Sequence, residues 1–232
     1  SDLTQINIYQ FTLTRDNMTV LSQGTGVKRV EIPASDTGRL PSTAFVVQPT
    51  KDGSNQQYNQ PLSLKFSNAG TVDGKDVDVY VTINSLDLTL KNANADYNNP
   101  NKTDVAFLTV DENWGTKSFQ IMDYIDVNHP SYTADMFRSY AINANVTVEL
   151  KYTDGTPCDL KLVMQPSDID VVGDAGANET FSLINANSTI DSIVMNNRNI
   201  LVETTSGNKI TWNPVRGTSG PDQEKNLAGF AV

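Results

Sequence analysis

The chain has 232 residues, 17 Lys and Arg against 27 Asp and Glu, a formal net charge of −10 and 38% hydrophobic residues. That charge, with Lys28-Arg29 as the only adjacent basic pair, excludes nucleic acid as a partner, because a phosphate backbone demands clustered cations. No apolar run approaches the ~18 residues of a spanning helix, and the one cysteine, Cys158, excludes an internal disulfide.

Taken in order, the chain reads as short strands joined by turns. Ile6, Ile8, Tyr9, Phe11 and Leu13 give the first strand signals. Gln23-Gly24-Thr25-Gly26 is a turn, and Val30 and Ile32 form a strand ended by Pro33, which has no N–H to donate. Phe45-Val46-Val47 is a short apolar run, and KDGSNQQYNQP (51–61) reads as a polar loop. Leu62, Leu64 and Phe66 alternate with polar residues, then Asn68-Ala69-Gly70 and Asp73-Gly74-Lys75 read as turns. Val77, Val79, Val81 and Ile83 share one face, and Leu86, Leu88 and Leu90 continue the apolar pattern.

Residues 91–104, KNANADYNNPNKTD, form a long polar loop of the kind that carries binding function on a β scaffold. Two strands, VAFLTV and FQIMDYIDV, flank a turn that presents Trp114. Residues 128–143 offer a helix of one or two turns, with Met136, Phe137 and Tyr140 on its apolar face. Val146, Val148, Leu150 and Tyr152 then alternate up to Asp154-Gly155, and Cys158, Leu160, Leu162 and Met164 alternate back, the pattern of a hairpin. Ile200-Leu201-Val202 and Ile210-Thr211-Trp212 make a second hairpin around Ser206-Gly207, and Leu227 to Val232 holds a last strand. The fold class is therefore all-β: an antiparallel β-sandwich of jelly-roll type, with at most one or two short helices. Residues 1–232 are read as one such domain cut from a longer chain, with 1–60 as an N-terminal extension packed on it.

The order of several segments resembles a known family. Ser67-Asn68-Ala69-Gly70-Thr71-Val72-Asp73-Gly74-Lys75-Asp76-Val77-Asp78-Val79 is followed by Val146 to Tyr152, then Asp154-Gly155-Thr156-Pro157, then Ser167-Asp168-Ile169-Asp170. Over about residues 66–212 this succession resembles the lectin-like, non-repetitive domain of CshA-type fibrillar adhesins of Gram-positive bacteria. The chain departs from the pattern where Val171-Val172-Gly173 follow the acidic run. The resemblance implies a non-enzymatic domain on the extracellular, cell-wall-anchored bacterial surface that binds a host glycan or an extracellular-matrix protein. It implies no membrane insertion and a monomeric domain.

Tyr97, Asn98, Asn113, Trp114 and Tyr132 are the candidate ligand-binding residues. Aromatic rings stack on the apolar C–H faces of sugars, and the amides supply hydrogen bonds. No cofactor is expected. Asp168, Asp170 and Asp174 are the one set of oxygen donors that suits Ca²⁺, although Asp side chains in such turns more commonly accept backbone N–H groups. His129 is the only histidine and no Gly-x-Ser-x-Gly elbow exists, so no Ser-His-Asp triad is indicated. Paired carboxylates for glycoside hydrolysis are not singled out by any spacing. A spacer module of a surface fibre and a secreted carbohydrate-active enzyme are the alternatives.

Overall fold

The computed structural model describes residues 11–34, 41–47, 55–90, 105–111, 119–121 and 140–158, and from the rest the strands within 163–164, 171–172, 177–178, 181–184, 192–194, 201–214 and 229–231. The chain divides into two compact units: Gln10–Asp159, and Ser1–Tyr9 with Leu160–Val232. The fold is all-β and antiparallel, and among the described residues the only helical piece is a 3₁₀ turn, Arg15–Asn17.

Unit Gln10–Asp159 is a sandwich of two four-stranded sheets. The first has the order β1-β4-β5-β8, built from β1 (Met18–Gln23), β4 (Gln56–Val72), β5 (Lys75–Leu90) and β8 (Tyr140–Tyr152). The second has the order β2-β3-β6-β7, from β2 (Val27–Ile32), β3 (Ser42–Val47), β6 (Val105–Val110) and β7 (Phe119–Ile121). Leu62, Leu64, Phe66, Val79, Val81, Ile83, Leu86 and Leu88 from the first sheet meet Val27, Phe45, Val47, Phe107, Leu108 and Val110 from the second in one buried core. This is face-to-face sheet packing, with inner-face side chains interdigitating.

The bulges keep that core in phase. A strand's side chains alternate, so the odd-numbered apolar row 77–83 and the even-numbered pair 86 and 88 cannot share a face on a regular strand. The register with β8 shifts between Ile83 and Ser85, which places the extra residue at Asn84 and switches the parity. In β4 the register with β5 shifts between Asn59 and Leu62, where Gln60 has φ +46 and Pro61 sits without loss of a ladder donor. A second shift in β4, between Phe66 and Gly70, absorbs Asn68 (φ +48).

The second sheet is buried more deeply. All six residues of β3 are buried, with Phe45 and Val47 in the main core and Ala44 and Val46 in a second cluster with Ile32 and Ala106. A strand buried on both faces has no polar alternation, which is why Phe45-Val46-Val47 reads as an unbroken apolar run.

The other unit holds β9 (Val163–Met164), β10 (Val171–Val172), β11 (Ala177–Asn178), β12 (Phe181–Ile184), β13 (Ser192–Val194), β14 (Leu201–Ser206), β15 (Lys209–Pro214) and β16 (Gly229–Ala231). They pair as β12-β15-β14, β13-β16-β9 and β10-β11. The β14–β15 hairpin closes through Gly207-Asn208, with Ser206 opposite Lys209 and Gly207 at φ +59, a conformation that glycine adopts without a Cβ clash.

Five expectations change. Gln56–Pro61 is not a loop but the first part of β4, paired with Leu88 to Ser85. Asn68-Ala69-Gly70 is a bulge inside β4 rather than a turn. Tyr140–Asn143 is the start of β8, opposite Leu90 to Asp87, so ladder pairing overrides the helical spacing there; the rest of 128–139 lies outside the described residues. The return arm of the Asp154-Gly155 hairpin is short. Pro157 bridges Lys151 and the Cys158 N–H donates to Leu150 O (3.0 Å), but Val163–Met164 pairs with β16 instead. Residues 18–47, expected in an N-terminal extension, supply β1, β2 and β3 of the two sheets.

Leu64 is wholly buried in the main core. Leu64→Ala is expected to lower unfolding free energy by ~2–5 kcal/mol through lost burial and a residual cavity, read from urea denaturation.

Candidate functional site

The strand registers sort the connections of the sandwich onto two ends. β4 and β5 join through Asp73 (φ +51) and Gly74 (φ +75), a two-residue turn whose hand matches the strand twist. Next to it, β8 ends at Tyr152, and Asp154 Oδ1 accepts from Thr156 N (2.9 Å) and Thr156 Oγ1 (2.6 Å). Those two bonds, the hydroxyl one foremost, hold the exposed Asp154 carboxyl below its usual pKa. Lys75 Nζ lies 5.2 Å from the centroid of the Tyr152 ring. The segments that carry the family resemblance, Asp73-Gly74-Lys75 and Asp154-Gly155-Thr156-Pro157, thus sit side by side at this base, and their role is to close the sheet.

The opposite end carries the long connections. Leu90, the last residue of β5, is the register partner of Tyr140, the first of β8, so segments 91–104 and 122–139 leave and return at one sheet end. In the second sheet Val105 opens β6 opposite Val47, and Ile121 closes β7 opposite Leu108. Val47 and Gln56, partner of Leu88, bound segment 48–55 at this same end. The two longest connections between strands of this unit, 91–104 and 122–139, therefore have their stems on one end of the sandwich together with 48–55, while 33–41 and 111–118 have theirs at the base. We call it the loop end.

Tyr58 stands at the loop end. Its ring is half-buried against the core, its hydroxyl donates to Gln56 Oε1 (3.1 Å), and burial raises the phenol's pKa. Gly26, at φ +82, passes so close that a Cβ there would lie 3.6 Å from the ring. The alternation of Gln57 and Asn59 with Tyr58 was the signal for this residue, and a polar composition masked it.

The candidate residues separate accordingly. Tyr97, Asn98 and Tyr132 belong to the connections of the loop end. Asn113 and Trp114 belong to the connection 112–118, whose stem is at the base, because Val110 pairs with Phe119 and with Thr43. All five side chains lie outside the described residues, as do Asp168, Asp170 and Asp174, which flank β10. Among the described residues no group of three or more His, Cys, Asp or Glu is placed to hold a metal. None of their helices is long and apolar enough to cross a membrane.

Two polar networks brace the unit, the first of them at the base. Asp111, 4% exposed and at φ +69, accepts the Arg15 N–H at 3.4 and 3.3 Å and leads into segment 112–118. Arg15 Nη2 donates to Glu31 Oε2 (2.7 Å) and Arg15 Nε to Thr43 Oγ1 (3.1 Å). Thr43 Oγ1 and Arg29 Nε also donate to Glu31, each at 2.7 Å. Burial alone would raise the Glu31 pKa; the bonds from Thr43 and Arg29 and the charges of Arg29 and Arg15 outweigh it and lower the pKa below 4.5. The second network lies on the outer face of the first sheet. Asp78, buried under the β4 bulge, accepts from the Asn68 N–H (2.8 Å) and pairs with Lys65 Nζ (3.6 Å). Lys65 and Lys151 lie 5.7 and 4.8 Å from the Tyr80 ring centroid, so cations already occupy that aromatic surface. Asn84 Nδ2 donates to Asn145 Oδ1 (2.9 Å) and Thr147 Oγ1 (2.7 Å). Cys158 is half-buried.

Unit Gln10–Asp159 is a two-layered antiparallel β-sandwich whose longest connections have their stems at one end, and comparison with known proteins places the chain among adhesin-type domains. The Sgo0707 N-terminal domain family matches residues 1–232, and the chain belongs to that family. The crystal structure of the N-terminal domain of the Streptococcus gordonii adhesin Sgo0707 superposes with a TM-score of 0.80 at 32% identity, over 100% of this chain. The chain spans 58% of the length of that solved chain. Comparison with curated proteins gave no match.

Two outcomes follow. Asp78→Ala strands the Asn68 N–H and the Lys65 ammonium, and is expected to cost ~1–3 kcal/mol in urea denaturation, with Asp78→Asn, which keeps an acceptor, costing less. Glu31 has a lowered folded pKa, so its contribution is present above the unfolded value and is lost as pH falls through the folded one. The stability difference between wild type and Glu31→Gln is therefore expected to be constant at neutral pH and to shrink below pH 4.5, measured by thermal melts across pH.

Proposed function

We propose that the chain is a non-enzymatic adhesin domain that holds a host glycan or an extracellular-matrix protein at the loop end of unit Gln10–Asp159. The observation that carries this reading is the convergence of segments 48–55, 91–104 and 122–139 on one end of a rigid sandwich. Long connections on a fixed scaffold are where binding groups are placed. Segment 91–104 is rich in Asn and holds Tyr97 and Asn98, and segment 122–139 holds Tyr132. Amides would hydrogen-bond ligand hydroxyls or peptide groups, and a tyrosine ring would stack on a sugar face or anchor a protein surface. Trp114 and Asn113, on a stem at the base, form a separate contact.

The family and the structural similarity to a streptococcal adhesin support a domain displayed outside a bacterial cell; attachment to the cell wall and action as a monomer belong to the same reading. Asp168, Asp170 and Asp174 are read as carboxylates that hold the turns around β10, not as a metal centre.

Glycan arrays and immobilised collagen and fibronectin, probed with the full chain, test the site. Tyr97→Ala and Tyr132→Ala are expected to weaken binding at least tenfold with an unchanged melting temperature, and Trp114→Ala to weaken it less. Wild-type affinity in both tyrosine variants would sink the loop-end site.

A further inference from the structure

We propose that β8 is the tension strut of unit Gln10–Asp159, carrying load from the loop end to the base along a strand that is already extended. The inference rests on the loop-end reading of ligand binding, and it adds how a bound ligand's pull is borne. Described residues close in sequence to the two ends of this unit, Thr12 and Cys158, are bonded in its base half. The Thr12 N–H donates to Ala69 O (2.7 Å), beside the β4 bulge; the Cys158 N–H donates to Leu150 O (3.0 Å). The two longest connections lie at the far end. A pull on the loop end, resisted by the chain at either of these residues, therefore runs lengthwise along the strands.

β8 spans that whole length without a break, from Tyr140 at the loop end to Tyr152 at the base. A load entering through segment 122–139 passes straight into its backbone, which has almost no further length to give. A load entering through segment 91–104 arrives at Leu90 of β5 and crosses to β8 through thirteen register pairs, Leu90↔Tyr140 to Val77↔Tyr152. Ladder hydrogen bonds lie perpendicular to antiparallel strands. A lengthwise pull thus strains the whole ladder together, whereas a pull across the sheet opens it one pair at a time from the edge. Buried Val79, Val81, Ile83, Leu86 and Leu88 on β5 must also slide out of the core before the strands part. The one irregularity in the ladder, at Asn84, is tied across to β8 by its bonds to Asn145 and Thr147.

Single-molecule pulling on the full chain tests this through thiol handles in a Cys158→Ser background. Asp87→Cys with Pro157→Cys loads the ladder lengthwise. Thr19→Cys with Pro157→Cys loads it across, from Thr19 on β1, level with Lys65, Tyr80 and Glu149, to Pro157, which bridges Lys151 on the far side of β8. Pro157 and Thr19 are exposed and Asp87 is half-exposed, so a wild-type melting temperature is the expected check on folding. The lengthwise pair is expected to unfold at several-fold higher force than the crosswise pair at equal loading rate. Equal force, or a weaker lengthwise pair, overturns the strut. No ligand enters this measurement. A force difference that holds while the loop-end variants bind like wild type overturns the ligand site and leaves the strut standing.

Discussion

The structure depends on one constraint: the inner row of β5 must stay against the core along its whole length. Val77, Val79, Val81, Ile83, Leu86 and Leu88 are all buried to within 2% exposure, and they are flanked on both sides, by β4 and by β8. Apolar burial on this scale is the main favourable term in folding. It tolerates no slip of register, because a shift by one residue would turn the whole row to solvent. The bulges at Gln60-Pro61, Asn68 and Asn84 are the local cost of satisfying it. Each then becomes a feature of its own: Asn68 offers its N–H to the buried Asp78, and Asn84 ties β5 to β8.

The two ends of the sandwich differ because that central ladder is asymmetric. At the base the first sheet closes tightly, through Asp73-Gly74 and through the turn held by Asp154 and Thr156, while segments 33–41 and 111–118 of the second sheet have their stems there. The Arg15, Glu31, Thr43 and Asp111 network locks the neighbouring edge. At the loop end the strands hand over to long polar connections. The base and the loop end are thus the two poles of a unit that lies within a domain of the Sgo0707 N-terminal family. The same asymmetry sets the direction in which the sheet is loaded.

Much of this was legible in the residues. Strict alternation located β5, β8 and the β14–β15 hairpin, and Asp-Gly and Ser-Gly marked their turns. The order of the segments around 66–79 and 146–170 pointed to a surface adhesin. The reading failed where composition and pairing disagree. Gln56–Asn59 is polar enough to pass for a loop, yet β5 supplies a partner for each residue and makes it strand. Tyr140 has helical spacing with Met136 and Phe137, yet Leu90 lies opposite it in the ladder. The arm after Cys158 alternates like the return strand of a hairpin, but its Val163 and Met164 find Ala231 and Phe230 instead.

What the amino-acid sequence determined by itself was the class: period-two apolar rows of β-branched residues, an acidic surface and turn residues at short intervals leave an antiparallel β-sandwich. Those are properties of neighbouring residues, and local sterics and burial are enough to read them. What only the tertiary structure decided was which connections share an end. Tyr97 and Tyr132 stand 35 positions apart and Trp114 falls between them. Yet the strand registers bring the first two connections to the loop end and put the stem of the third at the base. Long-range pairing sets that grouping, and no local pattern encodes it.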